Sequence, residues 1–104
     1  MLSRTADSLY WMSRYTERAE NIARLLDVTY RTSLLPPSGA GAASGYWAAA
    51  LSINGLEAAY RAQYGAIDGA AVMRFMTFDE GNPSSIRSCL KAARENAHAV
   101  RGTL

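Results

Sequence analysis

Residues 3–32 read SRTADSLYWMSRYTERAENIARLLDVTYRT and contain neither proline nor glycine; the first helix breaker arrives only at Pro36. Apolar or small side chains recur at Ala6, Leu9, Met12, Tyr15, Ala19, Ile22, Leu26 and Tyr30. Steps of three and four are the period of a helix that turns one face toward neighbours. Ser3 is the N-cap candidate, and Asp7 in the opening turns complements the helix dipole. At 1.5 Å per residue such a helix spans about 40 Å, long for so short a chain.

Working outward, Pro36-Pro37-Ser38-Gly39 breaks this helix, and a small-residue loop runs on to Ser44. A second helix is expected from Tyr46 to Gln63. Trp47, Leu51, Asn54 and Ala58 form one of its faces and Tyr46, Ala50, Ile53 and Tyr60 another, which implies contact on two sides. Tyr64-Gly65 closes it. Asp68 caps a short third helix over 69–77, where Val72, Met73, Phe75, Met76 and Phe78 crowd together and call for burial. Asn82-Pro83-Ser84-Ser85 then reads as a helix start, with asparagine as cap and proline at the first helical position, where its missing N–H costs nothing. The stripe of this last helix is Ile86, Leu90, Ala93, Ala97 and Val100. No segment alternates with the period of a strand. The expectation is all-α: a bundle of about four helices led by a long one. Val100-Arg101-Gly102-Thr103-Leu104 reads either as a glycine-stopped terminus, which local signals favour, or as a helix cut partway.

Composition narrows the function classes. With 104 residues, 49% apolar and 19% charged, the chain has the make-up of one globular domain near the low end for a self-sufficient core. Ten of its eleven basic residues are arginine and only Lys91 is lysine. Arginine pairs bidentately with carboxylates and phosphates, although a codon bias gives the same count. A net charge of +2 and a pI of 8.9 fall short of the usual nucleic-acid binder. The single cysteine, Cys89, rules out an internal disulfide and fits a reducing cytoplasm; no signal peptide or membrane-length apolar run is read, so neither nucleic acid nor membrane is expected as a partner.

Chemistry-bearing residues concentrate on the two longest helices. Arg14, Glu17, Asn21 and Arg24 fall on one strip of the first, with Arg18 and Glu20 at its sides. Helical spacing sets Arg14 beside Glu17 and Glu20 beside Arg24. The plain reading is a solvated face laced with weak ion pairs. The sharper expectation is that the strip turns inward, into a polar pocket between helices. The last helix carries Arg87, Lys91, Arg94, Glu95, Asn96 and His98, and a Glu-Asn dipeptide recurs in Glu20-Asn21 and Glu95-Asn96. If the two helices pack together, both groups face one cavity able to hold an anionic or amide-bearing ligand. The ligand-binding candidates are therefore Arg14, Glu17, Arg18, Glu20, Asn21, Arg24, Arg94, Glu95 and Asn96. His98 has no metal-ligand companion, Cys89 reads as a buried inert thiol, and Gly39-Ala40-Gly41 lacks the lysine of a phosphate loop. No metal or cofactor is expected.

Four stretches together resemble the α-E family, an α-helical domain named for a Glu-Arg motif. They are 1–11, 14–27 with Glu17-Arg18 at the naming motif, 78–86 through Asn82-Pro83-Ser84-Ser85, and 88–97. The likeness runs in order over essentially the whole chain. It implies an all-α fold, a bacterial setting, and genes lying beside or fused to circularly permuted ATP-grasp proteins and transglutaminase-like peptidases. Members of the family look considerably longer, so the resemblance favours residues 1–104 as one truncated domain whose uncovered apolar faces promote homo-oligomers. Its leading functional implication is an accessory module of a system that forms and cuts peptide or amide bonds. The alternative is an enzyme in which Glu17 acts as acid/base while Arg14 and Arg18 hold an anionic substrate, although a carboxylate flanked by arginines makes a poor general acid.

Overall fold

In a computed structural model, which describes residues 2–35 and 42–101, five helices follow one another: α1 (Leu2–Ser33), α2 (Ala42–Ile53), α3 (Glu57–Tyr64), α4 (Gly69–Thr77) and α5 (Ile86–Arg101). No strand occurs among the described residues. The expected break at Pro36-Pro37-Ser38-Gly39 and the chain end after Arg101 lie outside the described residues. The α1–α5 seam is the most extensive in the molecule, whose principal extents are 57 × 26 × 17 Å.

The long first helix forms as its spacing demands, with two adjustments. It already includes Leu2, so Ser3 lies within it and does not cap it. Its buried stripe is Ala19, Ile22, Leu26 and Thr29, with Tyr15 and Met12 half-buried. Tyr30, read as the next member, is exposed. The stripe takes a step of three at this point. Thr29 tolerates burial because its hydroxyl donates to the Leu25 carbonyl at 2.7 Å, leaving no polar atom bare. Ala6 and Leu9, near the start of the expected stripe, are also exposed.

The single helix expected over 46–63 is two helices, α2 and α3, and the first of them begins at Ala42 instead of Tyr46. Gly55 is the reason. Its φ of 66° is open to glycine at no steric cost, and around it Gly55 N–H donates to Ser52 O and Leu56 N–H to Leu51 O. That pair of bonds is a Schellman ending, with Leu56 packing back on the core. Glu57 restarts the chain as α3. Its carboxylate accepts from Ser52 Oγ at 2.9 Å and from Arg61 at 3.2 Å, and these two partners hold it below the usual carboxylate range. Trp47, Ala50 and Leu51 turn inward together, while Ile53 and Tyr46 face out, so α2 buries one face rather than two.

Asp68 caps α4 as expected, its carboxylate accepting from Ala71 N–H at 3.1 Å. Val72, Phe75 and Met76 are buried, but Phe78, just past the helix, is exposed. The cap of α5 is Ser85, whose Oγ accepts from Ser88 N–H at 3.1 Å while its carbonyl takes the first helical bond from Cys89. Asn82 and Pro83 belong to the preceding turn. Asn82 is buried and stitches that turn to α4, donating to Phe75 O at 3.1 Å and accepting from Ser84 N–H at 3.0 Å. On α5 the inward face is Cys89, Ala93 and Val100; Leu90, read into the stripe, stands out in solvent.

The core is a cluster of Ile22 and Leu26 from α1 with Trp47, Leu51, Tyr60, Val72, Phe75 and Met76 from the three short helices. Tyr60 and Phe75 meet edge to face at 5.5 Å, a geometry that suits the ring quadrupoles. One close approach decides how α2 sits on α4: a β-carbon on Gly69 would fall 2.7 Å from Trp47 Nε1. The Gly69→Ala substitution is therefore expected to destabilise the protein by about 1–3 kcal/mol through overpacking. Denaturant titration followed by tryptophan fluorescence checks this, and an unchanged midpoint would mean that the indole does not rest on the glycine.

Candidate functional site

The stripe that packs α1 also dictates where its polar residues go. With Ala19, Ile22 and Leu26 turned to the core, helical rotation carries Glu17 and Arg24 to the far side and Arg14 and Asn21 to one flank, with Arg18 at the margin of the seam. All six polar candidates of this helix, Glu20 included, are exposed. The strip does not enter the bundle interior. What it forms instead is an open groove of about 210 Å³ along the surface of α1, lined by Arg14, Glu17, Arg18, Asn21 and Ile22, with Asn54 from the turn after α2 as the opposite wall.

Within this groove the side chains are partly occupied. Arg14 Nη1 donates to Glu17 Oε2 at 3.3 Å, with more than half of each side chain in solvent (53% and 59%), so the pair adds little stability. Arg24 Nη1 reaches Asn21 Oδ1 at 3.4 Å and not Glu20, its expected neighbour. Asn54 Nδ2 donates to Ala50 O at 3.4 Å. Those bonds leave the Asn21 amide N–H₂ as a donor and the Asn54 carbonyl as an acceptor at the groove. Arg18 has no ion-pair partner among the described residues. Its guanidinium lies 5.7 Å from the Tyr15 ring centroid, within cation–π range, and is close enough to Cys89 of α5 to act on its thiol. The arrangement offers one guanidinium without an ion pair among the described residues, one amide donor and one amide acceptor.

The α5 residues do not complete it. Glu95 lines a separate depression with Glu80, Arg87, Ser88, Lys91 and Ala92, and Arg94 another with Glu80, Arg87, Leu90 and Lys91. Neither takes a residue from α1. Asn96 alone of the three turns toward the seam, half-buried, and its amide donates to Ala92 O of its own helix at 2.8 Å. Among the described residues the two Glu-Asn dipeptides thus share no cavity: α1 and α5 pack closely, but through their apolar faces, which sends the polar group of each away from the other.

Ile22 and Asn54, expected as packing positions on their helices, also line the groove. The Asn54-Gly55 dipeptide is a turn signal that would have placed an amide at a helix end. Cys89 is fully buried beside the Pro83 carbonyl, and burial pushes its thiol up, only partly offset by Arg18, as befits an unreactive core residue. Among the described residues no three of His, Cys, Asp and Glu gather as a metal ion would need, and no helix is long and apolar enough to cross a membrane.

A second polar group ties α3 to the turn after α4. Asp79 Oδ2 accepts from Gln63 Nε2 at 2.7 Å and from Tyr64 OH at 3.1 Å, while Oδ1 accepts from Gly81 N–H at 2.8 Å. Partial burial first, and then the hydrogen bond to Asp79, raises the Tyr64 phenol above its ordinary value of 10.0. Because the folded value is the higher one, this interaction stabilises the fold below the unfolded value and fades as pH climbs through the folded one. Alkaline titration of tyrosinate absorbance is expected to show one late-ionising phenol that the Tyr64→Phe variant lacks; loss of an early-ionising group instead would place the raised phenol elsewhere.

A family model described as a predicted alpha-helical domain with a conserved ER motif matches the chain over residues 1–104. No curated protein and no solved structure matches it. Glu17-Arg18 is the single Glu-Arg dipeptide in the sequence, and both of its side chains line the α1 groove.

Proposed function

We propose, since this chain belongs to the Alpha-E family, that it is an accessory, non-catalytic helical module of a cytoplasmic system that makes and cuts peptide or amide bonds. In this reading its α1 groove holds a segment bearing a carboxylate or carboxamide. The observation that carries it is the pairing of Arg18, whose charge no carboxylate among the described residues meets, with the amides of Asn21 and Asn54 across the groove. A guanidinium recognises a carboxylate, and an amide donor facing an amide acceptor recognises a carboxamide. Glu17 stands in solvent and already accepts from Arg14, so the geometry singles out no proton donor and gives no support to an acid/base role. Glu20 and Arg24 border this strip, and Arg94, Glu95 and Asn96 play no part in it.

The partners proposed are a circularly permuted ATP-grasp ligase and a transglutaminase-like protein, through the family likeness. Outward apolar side chains on and just beyond α1, at Val28, Tyr30, Leu34 and Leu35, are assigned to contact with them or with a second copy of the chain.

Two measurements test this. Titration with N-acetylglutamine, which carries both a carboxylate and a carboxamide, is expected to move the side-chain amide resonances of Asn21 and Asn54, and Arg18→Gln to weaken binding about tenfold; amides that stay in place end the groove reading. Turnover of an ATP-grasp amide ligase encoded beside a family member is expected to rise when the module is added and to rise less with Arg18→Gln. A rate indifferent to the module, together with failure to co-purify, overturns the accessory role.

A further inference from the structure

The side of α5 opposite its buried face carries a single row of basic residues. Arg87, Lys91, Arg94, His98 and Arg101 follow at steps of four, three, four and three, so all five fall within one narrow arc, and all five are exposed. The inward residues Cys89, Ala93 and Val100 lie across the helix from it. From Arg87 to Arg101 the row is about 21 Å long. We infer that this row is a docking ridge for an acidic segment of a partner protein, a surface separate from the α1 groove and independent of the function proposed for it.

Three observations support it. The first is that the row is poorly neutralised. Only Arg87 has an ion pair among the described residues, with Glu80 at 3.2 Å; Lys91, Arg94 and Arg101 have none. Like charges three and four residues apart repel, which costs the isolated helix stability. A cation near the C-terminus, here Arg101, offsets that by meeting the helix dipole, but Arg87 in the first turn and Lys91 after it have no such compensation.

The second is the state of His98. Arg94 Nε lies 3.3 Å from its Nε2 and Arg101 Nη1 lies 3.4 Å from its Nδ1. Guanidinium groups only donate, and a neutral imidazole has one accepting nitrogen, so one of these approaches sets a donor against a donor. This stretch of the ridge therefore has donors in excess and lacks acceptors, and a carboxylate laid along it supplies them.

The third observation selects a protein over a phosphate chain. Glu80 and Glu95 stand beside the row, and Leu90 at its edge is 51% exposed. A polyphosphate is anionic along its whole length and meets these flanking carboxylates with repulsion, whereas a protein of mixed composition sets one acidic stripe on the row and cationic or apolar side chains against Glu80, Glu95 and Leu90. Carboxylates three and four residues apart on a facing helix repeat at the spacing of this row.

The test uses the full chain and, as probe, a labelled helical peptide with glutamates at steps of three and four along one face and lysine, alanine and leucine elsewhere, followed by fluorescence anisotropy. The peptide is expected to bind, more weakly as salt rises. Lys91→Glu with Arg94→Glu is expected to lower affinity about tenfold or more, and Arg4→Glu with Arg31→Glu, which changes net charge equally on α1, by less than about threefold. Circular dichroism verifies that both variants keep their helix content. Equal losses in the two variants, absence of peptide binding, or tighter binding of a DNA duplex or of phosphatidylserine vesicles than of the peptide overturns the proposal.

Discussion

The burial of one stripe of α1 is the constraint on which everything else in this molecule depends. A helix of 32 residues has far more surface than a small protein can cover, and among its described side chains only Ala19, Ile22, Leu26 and Thr29 are buried. This face meets α5 and α2, and its Ile22 and Leu26 enter the core that the short helices complete with Trp47, Leu51, Tyr60, Val72, Phe75 and Met76. Once that face is committed, helical rotation leaves no freedom to the others. Arg14, Glu17 and Asn21 must lie outside, on the surface of the helix.

The same geometry acts on α5 in mirror fashion. Cys89, Ala93 and Val100 are drawn into the seam, so the charged residues that share their helix are displayed as a row on its far side. Two long helices that pack by their apolar faces cannot also enclose a polar cavity from residues on their opposite faces. The protein thus presents two distinct polar surfaces: a groove with paired donors and acceptors on α1, and a ridge of donors on α5. The one thiol, Cys89, belongs to neither surface and is sealed in the core.

Turns carry the remaining precision. Gly55 divides what a continuous periodicity presents as one helix, and in doing so sets Asn54 at the edge of the groove. Gly69 lets the Trp47 indole lie against the start of α4. Asn82 and Ser85 divide between them the work that the Asn-Pro signature assigns to asparagine alone: Asn82 anchors the turn to α4, and Ser85 caps α5. In each case the choice rests on a few hydrogen bonds or one van der Waals contact.

The all-α class, the reach of α1, the Asp68 cap of α4 and the inert burial of Cys89 follow from residue order alone, because helical period, capping chemistry and side-chain polarity act over a few neighbouring residues. So does the family, whose Glu-Arg motif is a local pattern at Glu17-Arg18. Which way the polar strip faces is another matter. Periodicity shows that Arg14, Glu17 and Asn21 share a side of the helix; it does not say whether that side meets protein or water. That was decided by which stripe the other helices cover, a property of distant segments. The same holds for Thr29 replacing Tyr30, for Leu90 left in solvent, and for Asn54 joining the groove, since each depends on a partner surface that arrives from elsewhere in the chain.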